Sequence, residues 1–108
     1  MKIEKRENMR GGKGTIIIEH LIDEKITGKH VRMFAKITIA PGCSIGFHEH
    51  IGESETYYIA EGEGTYDDNG IKRTVTKGDV TVTKSQNGHA IENSGQNPLI
   101  LIALIILD

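Results

Sequence analysis

Between Val31 and Ile39 the chain alternates: Val31, Met33, Ala35, Ile37 and Ile39 fall on one face and Arg32, Lys36 and Thr38 on the other, with Phe34 the exception. A period of two predicts a half-buried strand. Segments rich in Ile, Val and Thr recur along the chain, separated by turn signals. They predict strands over Thr15–Ile22, Ser44–His50, Glu55–Ala60, Gly64–Asp67, Ile71–Thr76, Val80–Thr83, His89–Asn93 and Leu99–Leu107. Pro41-Gly42, Gly52, Gly62, Lys77-Gly78-Asp79 and Ser94–Pro98 punctuate them, and Asp68-Asn69-Gly70 is the strongest hairpin signal. No segment carries a helical period. An all-β domain follows, as a sandwich, jelly roll or barrel.

At 108 residues one domain is expected, with residues 1–30 forming a polar leader and first strand that complete a barrel whose core is residues 31–108. Such a chain buries only roughly 60–65% of its unfolded surface, so a metal ion or a partner subunit would add needed stability. The formal net charge is -2 and no basic block stands out, which argues against a nucleic-acid surface. Met1–Gly14 has no apolar stretch of the kind a signal peptide needs, and Leu99–Leu107 is too short to span a bilayer. With one cysteine, Cys43, no intrachain disulfide forms. A cytoplasmic protein is expected.

Candidate chemistry lies in the histidines. His48 and His50 share a strand face, with Cα atoms about 6.5–7 Å apart, so two imidazoles can converge on one ion. Glu55 follows one turn later, and a hairpin there would fold it back beside the pair. His89 comes after a polar loop, and a closed barrel could bring it to the same point. Three neutral imidazoles and a carboxylate suit one divalent Fe, Mn, Ni, Zn or Cu ion and leave positions open for a ligand. An isolated His-x-His on a strand is more often a surface pair, but this spacing is not isolated.

Gly42, His48, His50, Glu55 and Gly62 match in spacing the first signature of the cupin family, and Gly78, His89 and Asn93 match the second. From about Val31 to Leu107 the chain resembles a small single-domain metal-binding cupin. The resemblance implies a double-stranded β-helix, a jelly-roll barrel with the metal inside. It implies His48, His50, Glu55 and His89 as ligands, and Gly42, Gly62 and Gly78 as turn positions. Two positions depart from the second signature: Lys84 replaces its proline and Gln86 its glycine. Gly88 is expected to supply the backbone freedom that Gln86 lacks.

Strand parity sorts the neighbours. Tyr57 and Ile59 share a face with Glu55, so Tyr57 is either cavity wall or a hydroxyl that bonds a substrate or gives it a proton. Tyr58 points outward to packing or an interface. Ser44 and Gly46 fall on the face of the His pair, while Cys43, Ile45 and Phe47 do not; Cys43 reads as a small buried hydrophobe. Glu53 competes for the carboxylate role from a turn, Glu49 faces solvent, and His20 and His30 read as surface or capping groups. Lys84 and Arg73 are cations that could attract an anionic substrate, or simply solvated charges. Leu99–Leu107 is apolar on both faces, so its outer face needs cover, and a homodimer is expected to provide it.

The function expected is that of a metal-dependent enzyme on a small oxygenated organic molecule, of isomerase, lyase or dioxygenase type. The alternatives are a non-catalytic small-ligand-binding module and a purely structural metal.

Overall fold

The computed structural model describes residues 2–108. The strands are β1 (Ile3–Glu7), β2 (Thr15–His20), β3 (Val31–Ile39), β4 (Ser44–Glu49), β5 (Glu53–Glu61), β6 (Glu63–Asp68), β7 (Ile71–Thr76), β8 (Val80–Thr83), β9 (Gly88–Glu92) and β10 (Leu99–Leu107). They form a six-stranded sheet, β1-β2-β3-β10-β5-β8, facing a four-stranded sheet, β4-β9-β6-β7. Every pairing is antiparallel. This is the all-β jelly-roll architecture expected. A 3-10 turn at Met9–Gly11 and the one-turn helix α1 (Glu24–Thr27) interrupt it. No helix among the described residues is long and apolar enough to cross a membrane.

The core lies between the sheets. Ile16, Ile18, Ile37, Ile39, Ile59 and Leu101 from the larger sheet meet Ile45, Tyr66, Val75 and Ile91 from the smaller. Burying each large aliphatic side chain stabilises the fold by about 1.5–3 kcal/mol. Along β10, Leu99, Leu101, Ala103 and Ile105 are buried, Ile100, Ile102 and Leu104 half-buried, and Ile106 exposed.

The segments β3, β7, β8 and β10 form with the bounds their patterns predict. Asn69 and Gly70 both take positive φ (50° and 100°), making the two-residue turn that joins β6 to β7 in register. Gly42, Gly62 and Gly78 are likewise left-handed.

Three expectations are corrected. The polar leader contains β1, an edge strand of an exposed Ile3 and four charged residues, of which only Glu4 is half-buried. It lacks an apolar alternation because one edge of the sheet needs none. The segment Leu21–His30 holds α1, which starts where the Asp23 carboxylate accepts the Lys25 N–H at 2.8 Å. Finally, β4 and β5 are not a hairpin. Each pairs in a different sheet, so the link His50–Gly52 crosses the barrel and brings Glu55 to the histidines from the opposite wall.

Candidate metal centre

β4 carries His48, and His50 follows directly at its end; β9 carries His89, in register opposite His48. Glu55 arrives on β5. One ligand atom from each of the four residues lies within 4.8 Å of all the others. Glu55 Oε1 is 2.9 Å from His89 Nε2, 3.0 Å from His50 Nε2 and 3.9 Å from His48 Nε2. The side chains are 0% to 8% exposed, so the cluster lies inside the barrel.

Each imidazole is oriented from behind. His48 Nδ1 donates to the Gly46 carbonyl at 2.8 Å and His50 Nδ1 to the Glu53 carboxylate at 2.6 Å. His89 Nδ1 contacts the Tyr66 hydroxyl at 2.7 Å and the Thr83 hydroxyl at 2.9 Å. A carbonyl and a carboxylate can only accept, so Nδ1 of His48 and His50 carries the proton and the Nε2 lone pair faces inward. The inward lone pair of His50 Nε2 therefore lies 3.0 Å from His89 Nε2 and 3.0 Å from the Glu55 carboxylate. That donor set fits a divalent cation: convergent lone pairs repel unless a positive charge joins them, and outer partners of this kind set the tautomer in metal sites.

Titration favours the ligating form at Glu55 and His89, whereas the His50 pKa is raised, chiefly by its hydrogen bond with Glu55. Burial raises the Glu55 carboxyl, but its close contacts with the His48, His50 and His89 imidazoles outweigh it and hold the group well below the usual carboxylate range. Burial is also the main cause lowering the His89 pKa. Both shifts favour the ligating forms, an anionic carboxylate and a neutral imidazole. Tyr57, 2% exposed, stacks on His89 with centroids 4.9 Å apart and planes at 21°. Burial and the Glu55 charge push its hydroxyl well above the ordinary tyrosine value, so it keeps its proton.

The register of β4 against β9 slips between Ile45 and His48. An extra residue there inverts parity: Ile45 turns inward and is buried, while Phe47 is exposed. Ser44 and Gly46 thus do not share the face of the His pair, although the Gly46 carbonyl reaches His48. Glu53 is not on a turn but begins β5, where it accepts from His50 and, at 2.8 Å, from Arg32. His20 is half-buried and lies 2.5 Å from Glu4; His30 is exposed, as is Glu49. Cys43 packs against the core. Gln86, rather than Gly88, takes the left-handed conformation (φ 74°), in a turn closed by Asn87 N–H to the Lys84 carbonyl at 3.1 Å. Asn93 is structural, donating to the Ile39 and Asn97 carbonyls.

A cavity of about 190 Å³ opens onto the cluster and is lined by His48, His50, Glu55 and Tyr57, with Arg6, Arg10 and Arg32 among its other walls. The cations at the site are these three. Neither Lys84 nor Arg73 lines it; Arg73 sits over the Tyr66 ring and beside Asp68. No apolar alternation marks β1 or the loop after it, so sequence reasoning had no signal for Arg6 and Arg10. A neighbouring hollow of about 310 Å³ shares His20, Arg32 and Met33 with this cavity.

Two facing antiparallel sheets around a three-histidine, one-glutamate cluster define a double-stranded β-helix protein able to hold a metal ion. The chain belongs to the cupin family, whose Cupin domain profile matches residues 35–105. It is 44% identical over 104 residues, covering 96% of this chain and 86% of the relative, to an oxalate-binding protein of Thermotoga maritima. The crystal structure of a predicted oxalate decarboxylase from Thermotoga maritima superposes with a TM-score of 0.96 at 42% identity, covering 100% of this chain and 94% of that one. The cupin domain of Schizosaccharomyces pombe Cnp3, at 13% identity and TM-score 0.79 over 99% of this chain and 70% of that one, shares the fold.

Proposed function

We propose that this cupin binds a small dicarboxylate, oxalate or a close analogue, at a divalent metal held by His48, His50, Glu55 and His89. One observation carries the reading: the cavity that opens onto the ligand cluster has three arginines in its walls against one carboxylate, Glu4, outside the cluster. A bound ion would supply a Lewis-acid charge for a carboxylate oxygen. The chain's own residues do the rest. Outer partners lock the imidazoles, Tyr57 closes the floor over His89, and the arginines raise the local concentration of anions. The similarity to an oxalate-binding protein supports the same ligand class. The test is calorimetric titration of oxalate into manganese-loaded protein, expected to saturate at one ligand per chain and to vanish after metal removal. Equal binding by the metal-stripped protein would overturn the reading.

Catalysis is a second reading, favoured by the buried, protonated Tyr57 hydroxyl. Tyr57→Phe would then leave metal content intact while lowering turnover of oxalate by about 10²–10⁴-fold, as loss of a positioned proton donor does. No conversion of oxalate by the loaded wild-type protein leaves binding alone.

The homodimer expected from the apolar β10 belongs here too. Ile102, Tyr58 and Val80 lie side by side across β10, β5 and β8, and Tyr58, Val80, Val82 and Ile106 are 42% to 54% exposed. An apolar face of this kind can pack against its own copy about a two-fold axis. Wild-type protein that sediments as a monomer at high concentration would sink it.

A further inference from the structure

The loop between β1 and β2 is built at a conformational cost. Asn8 (φ 50°) and Arg10 (φ 55°) are both non-glycine residues in the left-handed region, followed by Gly11 and Gly14 in the same region. Left-handed backbone of this kind is held only where its surroundings over-determine it. They do so here. Asn8 N–H bonds the Gly14 carbonyl at 2.9 Å, and Asn8 Nδ2 the Gly12 carbonyl at 3.1 Å. Lys13 and Ser44 exchange two bonds of 2.9 Å, Lys13 N–H to Ser44 Oγ and Ser44 N–H to the Lys13 carbonyl. The loop also lies directly against β4: a Cβ on Gly46 would fall 2.1 Å from the Arg10 carbonyl oxygen, and one on Gly12 2.2 Å from that of Ser44. Gly46 is the residue whose carbonyl orients His48. Arg10 is therefore tied, through backbone contact, to the strand that carries a candidate ligand.

The three cavity arginines are not equivalent. Arg6 faces Glu4 at 3.4 Å and Arg32 faces Glu53 at 2.8 Å. Among the described residues no carboxylate pairs with Arg10, yet it lines the same cavity as His48, His50 and Glu55. A divalent ion with one carboxylate ligand leaves a single positive charge; Arg10 adds a second. Those two charges match a dianion, whereas a monoanion would neutralise only one.

We infer that Arg10 is the second anchor of the site, a specificity residue that grips the far carboxylate of a dicarboxylate whose near carboxylate meets the ion. This rests on the metal-and-dicarboxylate reading above. A guanidinium offers a planar fork to a carboxylate, which a lysine does not.

The test is calorimetry of manganese-loaded protein with oxalate and with acetate, together with metal analysis and thermal unfolding of each variant. Wild type should prefer oxalate. Arg10→Met should weaken oxalate by about 10–100-fold at low ionic strength, the range for a charged hydrogen bond, with acetate changing far less and one metal per chain retained. Arg10→Lys should fall between. Should methionine destabilise the loop, Arg10→Gly suits the left-handed backbone; it should unfold at or above the wild-type temperature and still lose oxalate. A folded Arg10 variant that binds oxalate like wild type overturns the role of Arg10 and leaves the parent reading standing. Metal lost together with oxalate overturns it as well, since Arg10 would then be supporting the ligand cluster. A metal-loaded wild type that binds neither anion removes the parent reading, and this one with it.

Discussion

The floor and the mouth of the same cavity are built on opposite principles. At the floor, four buried side chains point at each other, and every imidazole has a partner behind it. Desolvation makes each of those bonds matter, because a buried polar group left unpaired costs about 1–3 kcal/mol. At the mouth, Arg6 and Arg32 have side chains about half exposed (51% and 48%), and Arg10 sits on left-handed backbone. Water screens each of those charges, so no single pair contributes much to stability. On the proposed function, metal affinity and ligand choice are separable: the floor would decide whether an ion stays, and the mouth which anion follows it.

Removing a floor ligand should break that comparison most severely. His89→Ala, if folded, is expected to lose metal by more than the ~10–100-fold typical of an outer-partner change, read by elemental analysis; a full equivalent of retained metal would show the assignment to be wrong. Tyr66→Phe is gentler. It deletes one of two hydroxyls on His89 Nδ1 while Thr83 keeps the other, so metal affinity should drop by about tenfold in competition with a chelator. An unchanged affinity would mean that Thr83 alone orients the ring.

Two smaller effects lie away from the floor. Gln86→Gly should stabilise the protein by about 1 kcal/mol by relieving left-handed strain, seen as a melting temperature raised by ~4–8 °C; a lower value would contradict the strain. The smallest is electrostatic. The hydrogen bond with His20 holds the Glu4 carboxyl below its ordinary value of 4.5, with Arg6 and Lys2 adding to it. A depressed folded pKa contributes stability that is present above the unfolded value and disappears as pH falls through the folded one. Glu4→Gln should therefore cost less than about 1 kcal/mol at neutral pH and nothing in strong acid. Parallel melting curves of the two proteins across the whole acid range would refute this.

Much of the architecture was legible in the chain itself. The alternation of Val31–Ile39, the apolar run Leu99–Leu107 and the Asn69-Gly70 turn each specify local backbone geometry, and local geometry depends on residues near in sequence. The spacing of His48, His50, Glu55 and His89 likewise marked the group that the fold brings together. What only the tertiary structure decided lies where parity or proximity depends on distant strands. One extra residue between Ile45 and His48 reversed which side chains face inward, and a bulge is visible only against its partner strand. Glu55 reaches the histidines across the barrel rather than along a hairpin, because sheet membership is a property of the whole topology. Glu53, an apparent turn residue, became the anchor of His50 once β5 began two residues earlier than its pattern shows. The arginine mouth came from a leader whose edge strand has no apolar period. Charges that gather from β1, the loop after it and β3 meet only when the sheet forms, and nothing in their sequence spacing encodes that meeting.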